Sequence, residues 1–210
     1  HFVLVDTGPG SSRNISLWGL PRSRLDAVLF THFHSDHIGD LGDVVMESWV
    51  AGRVAPLQVI GPPGVEQVVD GFRQAYALDT GYRIAHHGAD ALPVSGSELV
   101  ARAIPVPNDG DSAVDCEAEG LRIVAFTVDH APVEPAYGYR ADYRGRSVVI
   151  SGDTRKNTNL VLHATHADLL VSEGLAANIM GLAHQFALDH VSERWAGLIA
   201  DTLTYHTTPE

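Results

Sequence analysis

A layered α/β fold is the class this sequence predicts, and three observations predict it. Short runs of valine, leucine, isoleucine and phenylalanine, bounded by glycine, proline or aspartate, recur along the chain as buried strands do. Segments with helical spacing lie between them, and alternation of the two kinds is the pattern of sheet and helix in layers. The 210 residues are 45% apolar, which supplies a sizeable core.

Taken in order, residues 2–6 (FVLVD) and 26–31 (DAVLFT) read as strands. In "GDLGDVVMESWVAG", Leu41, Val44, Val45 and Trp49 fall on one helical face. A strand follows at residues 57–61 (LQVIG), then a helix in "VEQVVDGFRQAYAL" with Val65, Val68, Val69 and Phe72 along its stripe. Residues 88–120 mix glycine, proline, serine and acids, and read as loop-rich. Strands are expected at 121–128 (LRIVAFTV), 147–151 (SVVIS) and 168–172 (DLLVS). The last helix lies in "VSERWAGLIADTLTYH", with Ser192 as N-cap and Trp195, Leu198, Ile199 and Leu203 as its apolar stripe. No internal repeat or low-complexity tract interrupts what reads as a single domain over residues 1–210.

Composition narrows the function. No apolar run reaches the length of about eighteen residues that a membrane span needs, and the first residues lack the segments of an export signal. Cys116 is the sole cysteine, which rules out an internal disulfide and a thiolate-rich zinc knuckle. A net charge of −12, from 26 acids and 14 bases with Lys156 the only lysine, counts against a polyanionic partner unless a local arginine cluster or a metal overrides the average. Twelve histidines stand out, and their placement decides what they mean.

"LFTHFHSDHIGDL" puts His32, His34, Asp36 and His37 within six positions where a strand runs out. Alternate residues at a strand end project to one side, so His32 and His34 can converge, and the turn brings Asp36 and His37 back from another direction. Surface histidines at a loop are the competing reading, which one histidine would satisfy and this density does not. Imidazole and carboxylate donors without thiolate suit zinc, with manganese or iron as alternatives. Two more strands end in ligand-type residues: "FTVDHAP" in His130 and "VVISGDT" in Asp153. Sheet edges of this kind are where α/β proteins place their sites.

Together, "HFHSDH", "DHAP" and "SGDT" resemble the motifs of the metallo-β-lactamase superfamily, hydrolases with a four-layer αββα sandwich. The resemblance implies that His32, His34 and His130 hold one metal, that Asp36 and His37 belong to a second, and that Asp153 bridges the two. It also implies a further histidine past the last helix. With the opening "HFVLVDTG" already in a strand, the sequence reads as shortened at both ends. "ADLLVSEG" and "YHTTPE" place Glu173 and His206 where the branch similar to ribonuclease Z, phosphodiesterases and arylsulfatases has its glutamate and histidine. The resemblance implies that His206, oriented by Glu173, protonates the leaving oxygen or contacts the scissile group. The competing readings are a surface acid and a loop histidine.

Two metals sharing one water make hydrolysis machinery, with Asp36 able to orient the water or accept its proton. The −12 charge and the acidic stretch "PNDGDSAVDCEAEG" favour a small-molecule sulfate, phosphate or carboxylic ester over RNA. The alternatives are a ribonuclease Z type phosphodiesterase, a β-lactamase or lactonase, and a metal-binding module without turnover. A homodimer is the expected assembly, without a membrane. Among the remaining candidates, His86 and His87 are expected in a loop-like segment near the site. Tyr137 and Tyr139 border the pocket or fill the core, and His163, His166, His184 and His190 lie on helix surfaces or in satisfied contacts.

Overall fold

The computed structural model describes residues 2–106, 111–114 and 120–209, with the backbone alone for 111–114. It divides into two compact units, His1–Pro105 and Val106–Glu210. Each carries one sheet with helices, so the α/β class read from the sequence is the class found.

The first unit is built on four parallel strands in the order β1 (Phe2–Val5), β2 (Leu25–Leu29), β3 (Leu57–Gly61) and β4 (Leu99–Ala103). Parallel pairing needs crossover connections. The connection between β1 and β2 carries α1 (Ser11–Leu17) and a single 3-10 turn at Arg22–Arg24. Between β2 and β3 lie α2 (Ser35–Ile38) and α3 (Leu41–Val50), and between β3 and β4 lie α4 (Val65–His87) and α5 (Val94–Ser97). The predicted stripe of α3 is the buried one, with Leu41, Val44, Val45 and Trp49 at 0 to 2% exposure against Val28, Val59, Val65 and Val69. Trp49 is fixed by its indole N–H donating to the Pro93 carbonyl at 2.9 Å, and Gly96 gives it room: a Cβ there would lie 2.5 Å from the indole and 2.2 Å from the Arg53 carbonyl. Arg53 is itself buried, donating to the Ser48 hydroxyl and to the carbonyls of Val45 and Ala55 at the end of α3. Burial pushes its guanidinium down to about 10.

The second unit carries a five-stranded sheet in the order β5 (Asp111–Val114), β6 (Leu121–Val128), β7 (Ala136–Tyr143), β8 (Arg146–Ile150) and β9 (Leu169–Val171). Pairing is antiparallel up to β8 and parallel between β8 and β9. The turn from β7 to β8 needs only Arg144 and Gly145, both at positive φ, as a tight hairpin turn requires. Helix α6 (Thr158–Ala164) begins on an Asn157 cap, whose side chain accepts from the Leu160 N–H at 2.9 Å, and Leu160 packs on Phe126 and Val149. The unit ends in α7 (Ala177–His190) and α8 (Glu193–Thr202).

Several expectations are corrected here. Within the loop-rich residues 88–120 lie three short elements the sequence did not mark, α5, β4 and β5. The acidic stretch 107–119 with Cys116 otherwise lies outside the described residues. His86 and His87 are not in a loop: they form the exposed last turn of α4, which runs nine residues beyond its apolar segment. Ser192 does cap α8, accepting from the Trp195 N–H at 3.3 Å, but the stripe is not the buried face. Trp195 and Leu198 are 52% and 47% exposed, and Ala196 is the residue of α8 that packs inward. Tyr137 and Tyr139 are core residues, at 0 and 2% exposure. His163 is buried and stacked on Phe126 at 4.1 Å, a satisfied contact as expected, while His166 lies on the surface and His184 and His190 on α7.

Candidate metal centre

In the first unit, β2 runs past Leu29 through Phe30 and Thr31 into His32, which is 1% exposed, and the one-turn helix α2 follows at once with His34 as its N-cap. His32 Nε2 and His34 Nδ1 face each other at 2.9 Å. Two imidazole nitrogens at that separation can ligate one ion with bonds of about 2.0–2.1 Å. Asp36 stands in the first turn of α2 with its carboxylate exposed and 3.8 Å from His37 Nε2. The four motif residues are therefore brought together as their spacing suggests.

What holds them is Asp6, at the end of β1, a residue that spacing alone did not mark. Parallel pairing sets Val5 beside Leu29, so Asp6 reaches the residues just past β2. Its carboxylate accepts from the Thr31 N–H and the Thr31 hydroxyl, both at 2.8 Å, and from His37 Nδ1 at 2.8 Å. The Thr31 oxygen in turn lies 3.0 Å from His32 Nδ1. With the Thr31 proton committed to Asp6, its oxygen accepts the His32 Nδ1–H. One carboxylate thus fixes the tautomer of two histidines and gives each an Nε2 lone pair, the arrangement that metal-ligating histidines use. Asp6 takes a left-handed backbone conformation, φ 60°, to do this, which aspartate tolerates better than most residues.

The following loop clamps the motif turn. Thr7 N–H donates to the His37 carbonyl at 2.7 Å, Asp40 N–H donates to the Thr7 carbonyl at 2.8 Å, and the Asp40 carboxylate accepts from the Gly10 and Ser12 N–H groups. Gly8 is obligatory, since a Cβ there would stand 2.1 Å from the Asp36 carbonyl oxygen.

In the second unit, three strand ends and the segment after α8 meet. β6 leads into Asp129 and His130, which is 2% exposed, its Nδ1 toward the Tyr205 carbonyl at 3.2 Å. Asp129 pairs with Arg155 at 2.7 Å, a hydrogen bond that holds its carboxyl below the ordinary range. β8 leads into Asp153 and the fully buried Thr154, and β9 into Glu173. Glu173 accepts from the Thr154 N–H at 2.6 Å and from His206 Nδ1 at 3.0 and 3.1 Å. His206 Nδ1 is also 3.9 Å from Asp153, and one ligand atom each of Asp153, Glu173 and His206 lie within 4.8 Å of one another. The Glu173 and His206 pair expected from the resemblance is hydrogen-bonded, beside the aspartate expected to ligate.

In each unit the donor chemistry among the described residues, imidazole and carboxylate, fits a divalent metal, and partners fix the Nδ1 side of His32 and His37 in the first and of His130 in the second.

Residues 1–170 match the family described as the metallo-beta-lactamase superfamily. Among curated proteins, the chain is 40% identical over 180 residues to ribonuclease Z of Mycobacterium marinum, covering 84% of this chain and 61% of that protein. It is 36% identical over 193 residues to ribonuclease Z of Mycobacterium avium, covering 90% and 66%. The chain thus spans three-fifths to two-thirds of the length of these relatives. Among solved structures it is similar to human tRNase Z, short form, at TM-score 0.63 and 21% identity over 98% of this chain and 81% of that one. It is also similar to the metallo-beta-lactamase fold protein YhfI from Bacillus subtilis, at TM-score 0.58 and 22% identity over 84% and 61%. At these identities the two structures speak for the fold.

Proposed function

The chain belongs to the metallo-β-lactamase superfamily, and on that premise we propose that it is a metal-dependent hydrolase that cleaves a phosphodiester bond in RNA. The observation that carries the reading is the Glu173–His206 pair, hydrogen-bonded at 3.0 Å and set beside Asp153. A carboxylate on Nδ1 fixes the orientation of the imidazole and leaves Nε2 to face outward, which is the placement a proton donor to a leaving oxygen needs.

The family's order of motifs supports assigning His32, His34 and His130 to one ion, Asp36 and His37 to a second, and Asp153 to both, with zinc favoured by the donor set. A divalent ion held by these residues would supply a water of lowered pKa and would offset charge on the phosphoryl oxygens. The chain's own residues do the rest. Asp36 accepts the proton of the attacking water, and His206, held by Glu173, delivers a proton to the departing oxygen.

The charge argument had favoured a small ester, and the curated relatives favour RNA instead. Net charge is an average, and residues 7–25 depart from it. They contain Arg13, Arg22 and Arg24 and no acid. Arg22 pairs with Glu47, but among the described residues Arg13 and Arg24 enter no ion pair, and Trp18 is 75% exposed. Helix α1 starts against the Asp40 carboxylate and is seven residues long, so Trp18 sits roughly 10 Å from the motif turn. Arginine for phosphate and an open indole for base stacking are what a single strand uses.

The test is a panel of 3′-extended transfer RNA, bis-aryl phosphodiester, aryl sulfate, lactone and β-lactam with metal-loaded protein. RNA and the diester are expected to turn over, and His34→Ala and Asp153→Ala to abolish both. His206→Ala is expected to cost more with poor leaving groups than with activated ones. Preference for the aryl sulfate or the lactone would restore the small-ester reading.

A further inference from the structure

We infer that Thr207 is the positioning residue that holds the His206 imidazole on Glu173, acting through the backbone of Thr154. His206 lies past α8, in a segment without helix or strand, so no ladder of backbone bonds sets its direction. Thr207 supplies the direction from two sides. Its hydroxyl donates to the Thr154 carbonyl at 2.6 Å, and its carbonyl accepts the Leu175 N–H at 2.8 Å. These two bonds tie the residue after His206 to both strand ends that carry its carboxylate neighbours, Asp153 next to Thr154 and Glu173 two residues before Leu175.

The Thr154 backbone serves both ends of the arrangement. Its N–H donates to Glu173 Oε1 at 2.6 Å while its carbonyl, on the other side of the Cα, receives Thr207. Following the bonds from His206 Nδ1 to Glu173, through the Thr154 backbone to the Thr207 hydroxyl and back along the chain closes a ring. Thr154 is a fixed post for it. It is 0% exposed, and its hydroxyl bonds the Arg155 carbonyl at 2.7 Å while receiving Asn157 Nδ2 at 2.8 Å and the Asp129 N–H at 3.1 Å. Without the Thr207 hydroxyl, the Thr207 carbonyl on Leu175 and the Tyr205 carbonyl facing His130 still hold the segment on either side of His206, but its link to Thr154 is gone and the imidazole can turn off Glu173. A misplacement of about 1 Å in a reacting group costs on the order of 100-fold in rate.

This inference rests on the reading of His206 as proton donor, and the test separates the two. Thr207→Val removes the hydroxyl at nearly constant shape, Thr207→Ala is the second variant should valine not fold, and Thr207→Ser restores the bond. Long-range 1H–15N correlation on metal-free protein should show His206 protonated at Nδ1 in wild type and Thr207→Ser, and averaged between tautomers in Thr207→Val. With a poor leaving group, Thr207→Val should lower kcat by about 10- to 100-fold at little cost in KM, and serine should recover it. His206 ring signals unchanged in Thr207→Val would overturn the positioning role, whatever happens to turnover. Changed signals with kcat unaffected would uphold it and remove His206 from the proton-donor role.

Discussion

Asp6→Asn replaces one carboxylate oxygen by NH2 and should weaken metal binding at the candidate site of the first unit. Asp6 Oδ1 accepts the Thr31 N–H, and Oδ2 accepts both the Thr31 hydroxyl and His37 Nδ1. An amide offers one acceptor where the carboxylate offered two. Placed with its oxygen on the Thr31 N–H, its NH2 faces His37 Nδ1, which must then give up its proton and carry it on Nε2, the nitrogen a metal would need. Turned the other way, it sets NH2 against the Thr31 N–H. Loss of a partner that orients a ligating histidine typically lowers metal affinity by about 10- to 100-fold, or about 1.4 to 2.7 kcal/mol. Asp6 and His37 side chains are only 16% and 15% exposed, so water replaces the lost bonds poorly. An unsatisfied buried donor costs about 1–3 kcal/mol, so metal-free Asp6→Asn should melt a few degrees below wild type. Zinc affinity measured by competition with a chromophoric chelator is the assay. Wild-type affinity in Asp6→Asn would refute the claim that this carboxylate sets the tautomers.

Other outcomes follow from separate parts of the molecule. Arg13→Glu with Arg24→Glu should raise KM for RNA and flatten its salt dependence by about 0.7 per lost phosphate contact, leaving the bis-aryl diester unaffected. Trp18→Ala should raise the RNA KM about ten-fold or more through lost stacking, and equal effects on RNA and the small diester would argue against a strand contact. Gly96→Ala drives a methyl into the Trp49 indole and the Arg53 carbonyl, and should destabilise by about 1–3 kcal/mol in denaturant unfolding; an unchanged midpoint would contradict that packing. The Arg146 hydrogen bond, followed by those from Ser147, lowers the pKa of Asp168. The unfolded state therefore binds the proton first as pH falls. The stability this adds is present above the unfolded carboxyl pKa of about 3.9 and is lost below it, through the lower folded value. Asp168→Asn should therefore show a shallower acid loss of stability than wild type, and parallel curves would sink the assignment.

Strands that run as unbroken apolar stretches were legible to within a residue or two: β2, β3, β6 and β8 are buried where valine and leucine crowd. β4 and β7 were not, because Arg102 interrupts one, and Gly138, Arg140 and Asp142 interrupt the other. Gly138 earns its place only in three dimensions, where a Cβ would meet the Phe126 ring at 2.5 Å. The stripe of α8 misled because helical spacing reports an apolar face without saying whether anything packs on it. The ligand-type residues stand out in the sequence because they crowd where strands end, and the structure sets His32 against His34 and Glu173 against His206. Asp6 ended a strand in the same way, but its role depends on β1 pairing with β2 and on a left-handed φ, and neither is written in spacing. Substrate class is least legible, since the global charge points to a small ester while the acid-free residues 7–25 support the proposed RNA reading.

The central claim, metal-dependent cleavage of an RNA phosphodiester, is tested most directly by following 3′-extended transfer RNA with chelator-stripped protein as zinc is titrated back. The account predicts no cleavage by the stripped protein and cleavage that rises with zinc in wild type but not in His34→Ala. RNA cleavage that persists in chelator, or zinc-loaded protein that leaves RNA intact while hydrolysing an aryl sulfate or a lactone, would contradict it.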